Sequence, residues 1–211
     1  MAFSGFTEET FRFYKGLQAD NSKSYWTAHR ETYERHVREP MAELCAELED
    51  EFGPVKLFRP YRDLRFSKDK SPYKTHQGGH TSEGFYLQVD ADGLLAAGGM
   101  YALTPEQLHR YRDAVGSETS GRELQAIVDE LRAAGLEVAG DRLKTRPRGT
   151  PPDHPRLELL RHRSLYAFRG WPADPWMRTP QAVTAVRDTW RLLRPLVEWG
   201  RRRLGPPGDG R

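Results

Sequence analysis

The chain has a single cysteine, Cys45, in 211 residues, so it can form neither an internal disulfide nor a cysteine zinc site and is expected to be intracellular. Cys45 falls in the apolar pattern Met41, Leu44, Cys45, Leu48, which predicts core filler and not a nucleophile. No apolar run approaches the roughly 20 residues that span a bilayer. The opening Met1 to Phe6 also lacks the basic start and apolar middle of a signal peptide. The expected compartment is the cytoplasm, with no membrane partner. Neither Gly-x-Gly-x-x-Gly nor Gly-x-x-x-x-Gly-Lys-Ser/Thr occurs, which argues against a nucleotide cofactor held by those loops, and no cofactor is expected. There is no Gly-x-Ser-x-Gly elbow, which lowers the case for covalent hydrolysis. No His-Glu-x-x-His motif occurs either. His76 and His80 are the nearest approach to a metal pair, but on an extended strand they lie roughly 13 Å apart. Only a turn at Gly78-Gly79 would bring them onto one ion, and no metal is assigned.

What is present suffices for a packed core: 37% hydrophobic residues, among them 9 Phe, 9 Tyr and 5 Trp. The formal charge of +3 hides an uneven distribution. Glu8 to Glu51 carries 11 acidic residues against 6 Lys/Arg, whereas Lys56 to Lys74 carries 7 basic against 2 acidic, and Asp141 to Arg163 carries 7 against 3. An acidic helical layer beside two basic segments concentrates anions locally without making the whole molecule basic.

The basic run is densest from Arg59 to His76. Alternation over Leu57 to Phe66 predicts a strand with Arg59, Tyr61, Asp63 and Arg65 on one face, and Phe58, Arg62, Leu64 and Phe66 on the other. Guanidinium forks take carboxylate or phosphate bidentately, and a carboxylate among them, Asp63, orients the forks. Two carboxylates, Asp63 and Asp69, are too few to pair with every cation of the segment, and unpaired forks near a cleft cost free energy unless an anion or acidic residues elsewhere complete them. Arg62, on the apolar face, is expected in a structural pairing.

Elsewhere the elements alternate in type. Thr7 with Glu8 and Glu9 starts a short helix; a second helix runs from about Ser22 to Glu51 and is kinked or split at Pro40. Phe85 to Asp90 and Leu94 to Tyr101 form a hairpin about the turn Asp90-Ala-Asp-Gly93. Thr104-Pro105-Glu106-Gln107 opens a helix, Gly121 to Ala134 forms another, and Thr179-Pro180 caps a last long one. Central antiparallel strands with helices at both ends predict one α+β domain over residues 1–204, followed by a disordered tail, 205–211.

The run Arg59-x-x-Arg62-Asp63-x-Arg65-Phe66-x-x-Asp69-Lys70-x-x-Tyr73-Lys74 resembles the signature of a bacterial family of conserved hypothetical proteins, the domain of unknown function numbered 2461. Asn21 to Tyr33, with Trp26, His29 and Arg30, is similar to that family's first helix. Gly98-Gly99, Lys144-x-Arg146-Pro147-x-Gly149 and His154-Pro155 are similar to its later motifs. The likeness covers nearly the whole chain; it implies a class and carries no activity with it.

The leading expectation is a protein or enzyme that takes a small anionic compound bearing phosphate or carboxylate. Arg59, Arg65, Lys70 and Lys74 anchor it, Asp63 orients the arginines, and Trp26, Tyr33, Tyr61 and Tyr73 wall the pocket. Lys144 and Arg146 are candidates to close the site. His29 is the first choice for any acid/base step, since histidine titrates near working pH. The competing expectation is a nucleic-acid surface on which the same cations contact phosphates and the tyrosines stack on bases.

Overall fold

The computed structural model describes residues 2–63, 65 and 70–206. Leu64, Phe66 to Asp69 and the tail from position 207 lie outside the described residues. In chain order the helices and strands are α1 (Glu8–Ala19), α2 (Lys23–Tyr33), α3 (Glu39–Ala46), α4 (Glu49–Phe52), β1 (Val55–Leu57), β2 (His76–Thr81), β3 (Phe85–Asp90), β4 (Gly93–Met100), α5 (Pro105–Gly116), α6 (Glu118–Ala133), β5 (Glu137–Ala139), α7 (Leu157–Leu160), β6 (Leu165–Pro172) and α8 (Gln181–Leu204). The strands form one antiparallel sheet ordered β1-β2-β3-β4-β6-β5, so the fold is α+β. The chain divides into two compact units. The first is Met1–Thr81 with Tyr86–Ala96 and Gly170–Asp188; the second is Ser82–Phe85 with Ala97–Arg169 and Thr189–Arg211.

In the first unit, Phe13, Tyr14 and Leu17 of α1 are buried with Trp26 and Tyr33 of α2 and Met41, Leu44 and Leu48 beyond. Each such side chain stabilises by roughly 1.5–3 kcal/mol through removal from water. Cys45 is buried among them and its thiol is pushed up to about 12, which keeps it inert. Proline splits the long helical segment as expected, through a π-helical turn at Glu34–Arg38 between α2 and α3. Pro40 has no N–H for the carbonyl four residues earlier, that of His36. The hydroxyl of the buried Thr10 donates to that carbonyl at 2.5 Å. The acceptor that proline orphans is thereby satisfied, and α1 is tied to the π turn.

The expected strand over Leu57 to Phe66 is shorter in the structure, because Pro60 cannot donate into a ladder. β1 stops at Leu57, Phe58 N continues the pairing to Gly78 O at 2.9 Å, and a separate short pairing then begins. Tyr61 and Tyr73 form an antiparallel bridge flanked by Arg62 N to Pro72 O (2.9 Å) and Lys74 N to Pro60 O (2.8 Å). The two described ends of the signature segment are therefore held together by a short antiparallel pairing. β2 and β3 lie in register His76↔Asp90, Gly78↔Gln88 and His80↔Tyr86. Leu87 and Val89 are buried on one face of β3, and Tyr86, Gln88 and Asp90 are half-buried on the other.

In the second unit, α5 starts with a capping box: Thr104 accepts from Gln107 N and the Gln107 side chain accepts from Thr104 N. Tyr111 donates to Leu159 O, and Leu124, Val128 and Leu131 put one face of α6 into the core with Trp199. Arg156, only 6% exposed, sits at the end of α5, where it donates to Val115 O (2.8 Å) and Gly116 O (3.3 Å) and pairs with Glu118 (3.3 Å). It satisfies helix-end carbonyls that have no intrahelical donor. At Gly99 a neighbouring strand approaches closely. Gly99 has φ +139, and a Cβ there would meet Leu165 O at 2.6 Å.

Candidate anion site on the first unit

The aromatic residues expected to wall a pocket pack on one another, and most of them are buried. Trp26 stacks on Tyr73 at 4.4 Å with 9° between the ring planes, Tyr33 lies 4.8 Å from Trp26, and Tyr61 lies 5.4 Å from Tyr73. Aromatic pairs of this kind add about 0.5–1.5 kcal/mol each beyond their area. Asn21 pins the wall by a two-way bond to Tyr73: Nδ2 donates to Tyr73 O and Tyr73 N donates to Oδ1, both at 3.0 Å. The Tyr33 hydroxyl points inward and donates to Gln77 Oε1 at 2.6 Å, while Gln77 Nε2 donates to Phe58 O and Gly78 O. Tyr33 is thus a strut between α2 and β2. Tyr61, 48% exposed, is the ring of this group that solvent and a ligand can reach.

The charged residues fall into two sets. Asp63 and Arg65 are exposed and pair with each other: Arg65 Nη2 donates to Oδ2 at 2.6 Å, Nε to Oδ1 at 3.0 Å, and its backbone N to Oδ1 at 3.2 Å. Those bonds, with the Arg59 guanidinium nearby, hold the Asp63 carboxyl at about 2. Its charge is committed and it makes a poor general base.

The second set is Lys74 with Arg59, Arg62 and His76. The Lys74 ammonium lies 4.8 Å from the centroid of the Phe58 ring, partly withdrawn from water. Desolvation first, then repulsion from Arg59 and Arg62, holds it below the ordinary lysine range. The half-buried His76 is held below the usual histidine value by desolvation and by Lys74 and Arg62, opposed by Asp90. Among the described residues no carboxylate lies within ion-pairing distance of Arg59 or Lys74. Arg62 is half-buried, as its place on the apolar face predicted, and it interacts within the chain.

His29 stacks on Tyr25 at 4.0 Å and donates from Nδ1 to Tyr25 O at 2.9 Å. Lys70 is exposed and interacts within the chain. Lys144 and Arg146 belong to the second unit, on a loop whose Leu143 and Lys144 carbonyls accept from Arg161. His76 and His80 lie along one strand, and among the described residues no group of three His, Cys, Asp or Glu side chains is placed to hold a metal. No helix of the described residues is long and apolar enough to cross a membrane.

The model of the family described as Conserved hypothetical protein (DUF2461) matches residues 9–199, well over half of the chain. The chain belongs to this family. A search of the curated proteins found no match. The DUF2461 match spans both the aromatic wall and the cation set. Sequence reasoning missed Asn21, Phe58, His76, Gln77, Gln88 and Asp90 as parts of this region. Alternation over Phe85 to Asp90 was the available signal for the last two, since it sets Tyr86, Gln88 and Asp90 on the face opposite Leu87 and Val89.

Proposed function

We propose that this protein binds a small anion, phosphate or carboxylate bearing, on the first unit, with Arg59 and Lys74 as its principal anchors. The observation that carries this reading is Lys74: a partly desolvated ammonium that feels the charges of Arg59 and Arg62, with no carboxylate among the described residues to pair with. Like charges gathered at a half-buried position cost free energy in the empty protein, and an anion reverses that cost. Arg62 and His76 flank the anchors, and Asp63 holds Arg65 in a fixed orientation at the exposed rim. A nucleic-acid surface would need cations spread along a track that follows successive phosphates. Arg59 and Arg62 instead both act on one side chain, Lys74.

Isothermal titration with sulfate and inorganic phosphate tests the reading. Millimolar or tighter binding is expected, weakened at least about tenfold by Arg59→Ala or Lys74→Ala. A salt slope of about one charge distinguishes a single anion from a polyphosphate strand, for which the slope scales with the number of contacts. No binding, or binding indifferent to both substitutions, overturns it.

A further inference from the structure

The sheet face next to the cations carries a second feature that anion binding alone does not use. On β3, the Tyr86 hydroxyl donates to Gln88 Oε1 at 2.6 Å, and Gln88 Nε2 donates to Asp90 Oδ2 at 2.8 Å. Asp90 Oδ1 accepts from Asp92 N (2.8 Å) and Gly93 N (3.1 Å), so the carboxylate is fixed by the hairpin turn below it. The relay runs along one face of a strand, opposite β2 residues His80, Gly78 and His76 in register. Gly78 is what permits it: a Cβ there would fall 2.7 Å from the Tyr86 hydroxyl. Phe58 joins the relay to the cations, with Lys74 Nζ at 4.8 Å from its centroid, His80 at 5.4 Å and Tyr86 at 6.3 Å.

A carboxamide has two N–H groups and a carboxylate oxygen has two acceptor sites. After the internal bonds, Gln88 retains one N–H and Asp90 Oδ2 one acceptor position, side by side on a rigid strand. That is the donor and acceptor pair a hydroxyl group requires, since a hydroxyl accepts once and donates once. The apolar ring of Phe58 offers a surface for carbon–hydrogen groups between the two halves.

We propose that the ligand is an anion carried on a hydroxyl-bearing skeleton, of the sugar-phosphate or sugar-acid class. The anionic group rests at Arg59 and Lys74, and a hydroxyl is read by Gln88 and Asp90. This rests on the anion-binding reading above and adds the chemistry of the ligand's other end.

Calorimetry on the full chain tests it with glucose 6-phosphate, ribose 5-phosphate, inorganic phosphate, glucose and phosphoethanolamine. At least one sugar phosphate is expected to bind about tenfold or more tightly than inorganic phosphate, the worth of two hydrogen bonds to a preorganised pair. Gln88→Leu removes that advantage and leaves inorganic phosphate unchanged. Asp90→Asn keeps an oxygen for the turn, so it folds, and it narrows the advantage while strengthening inorganic phosphate through loss of a negative charge. Sugar phosphates no tighter than inorganic phosphate would overturn the proposal and leave the anion site standing. Phosphoethanolamine binding tighter than every sugar phosphate would overturn it by assigning Asp90 to an ammonium. Failure of every phosphate to bind removes the anion reading together with this one.

Discussion

Arg156 and Arg59 show how differently two arginines of one chain are used. Arg156, in the second unit, is buried and meets carbonyl oxygens at the end of α5 and the Glu118 carboxylate. Its charge is answered inside the fold. Arg59, in the first unit, is exposed and acts on Lys74, another cation. Its charge is answered by Asp63 only at a distance, and that carboxylate is already engaged by Arg65. Arg156 is a cation whose acceptors the fold supplies, whereas under the proposed function Arg59 is one whose acceptor is the ligand.

Substitutions sharpen this contrast. Arg156→Ala leaves carbonyls without donors and opens a cavity, so a loss of about 3 kcal/mol is expected in urea unfolding. Arg59→Ala in the same assay stays within about 0.5 kcal/mol of the parent, as surface changes do; equal losses for the two would erase the distinction. Tyr33→Phe is intermediate. It strands the buried Gln77 oxygen, with an expected cost of about 1–2 kcal/mol and no effect on phosphate affinity, because that hydroxyl faces the core.

Lys74→Met gives the smallest effect and the most informative sign. The folded state depresses the Lys74 pKa from 10.5, so it holds this proton less well than the unfolded chain does. The penalty is complete below the folded pKa and fades as pH rises through it toward 10.5. At pH 7 the variant's urea midpoint should equal or exceed the parent's, with any gain shrinking toward pH 10.5. A clearly lower midpoint would make Lys74 a structural residue.

The fold was legible where local chemistry decides it. Thr104 to Gln107 spell a capping box, Asp90 to Gly93 spell a hairpin turn, and both form as read. Pro40 announced a break, but the identity of Thr10 as the donor that repairs it depends on tertiary packing. Pro60 is the instructive miss. Alternation argued for a strand through it, yet its missing N–H ends the ladder and passes the following residues to a different partner, 72–74. Among the candidate residues, Arg59, Asp63, Arg65 and Lys74 were picked out by charge density, which cannot say which of them pair with one another. His76 was weighed only as a metal ligand, because its tie to Lys74, Arg62 and Asp90 comes from strand register and not from spacing.

His76 also reports most directly on whether the cation set receives an anion. Its imidazole is held below the usual histidine value by desolvation and by Lys74 and Arg62, so an anion seated among those cations must raise it. The measurement is an NMR pH titration of the His76 ring with and without sulfate, which itself does not titrate in this range. The account predicts an upward shift on adding sulfate, abolished in the Arg59→Ala/Lys74→Ala double variant. A His76 titration unmoved by saturating sulfate would contradict the anion site.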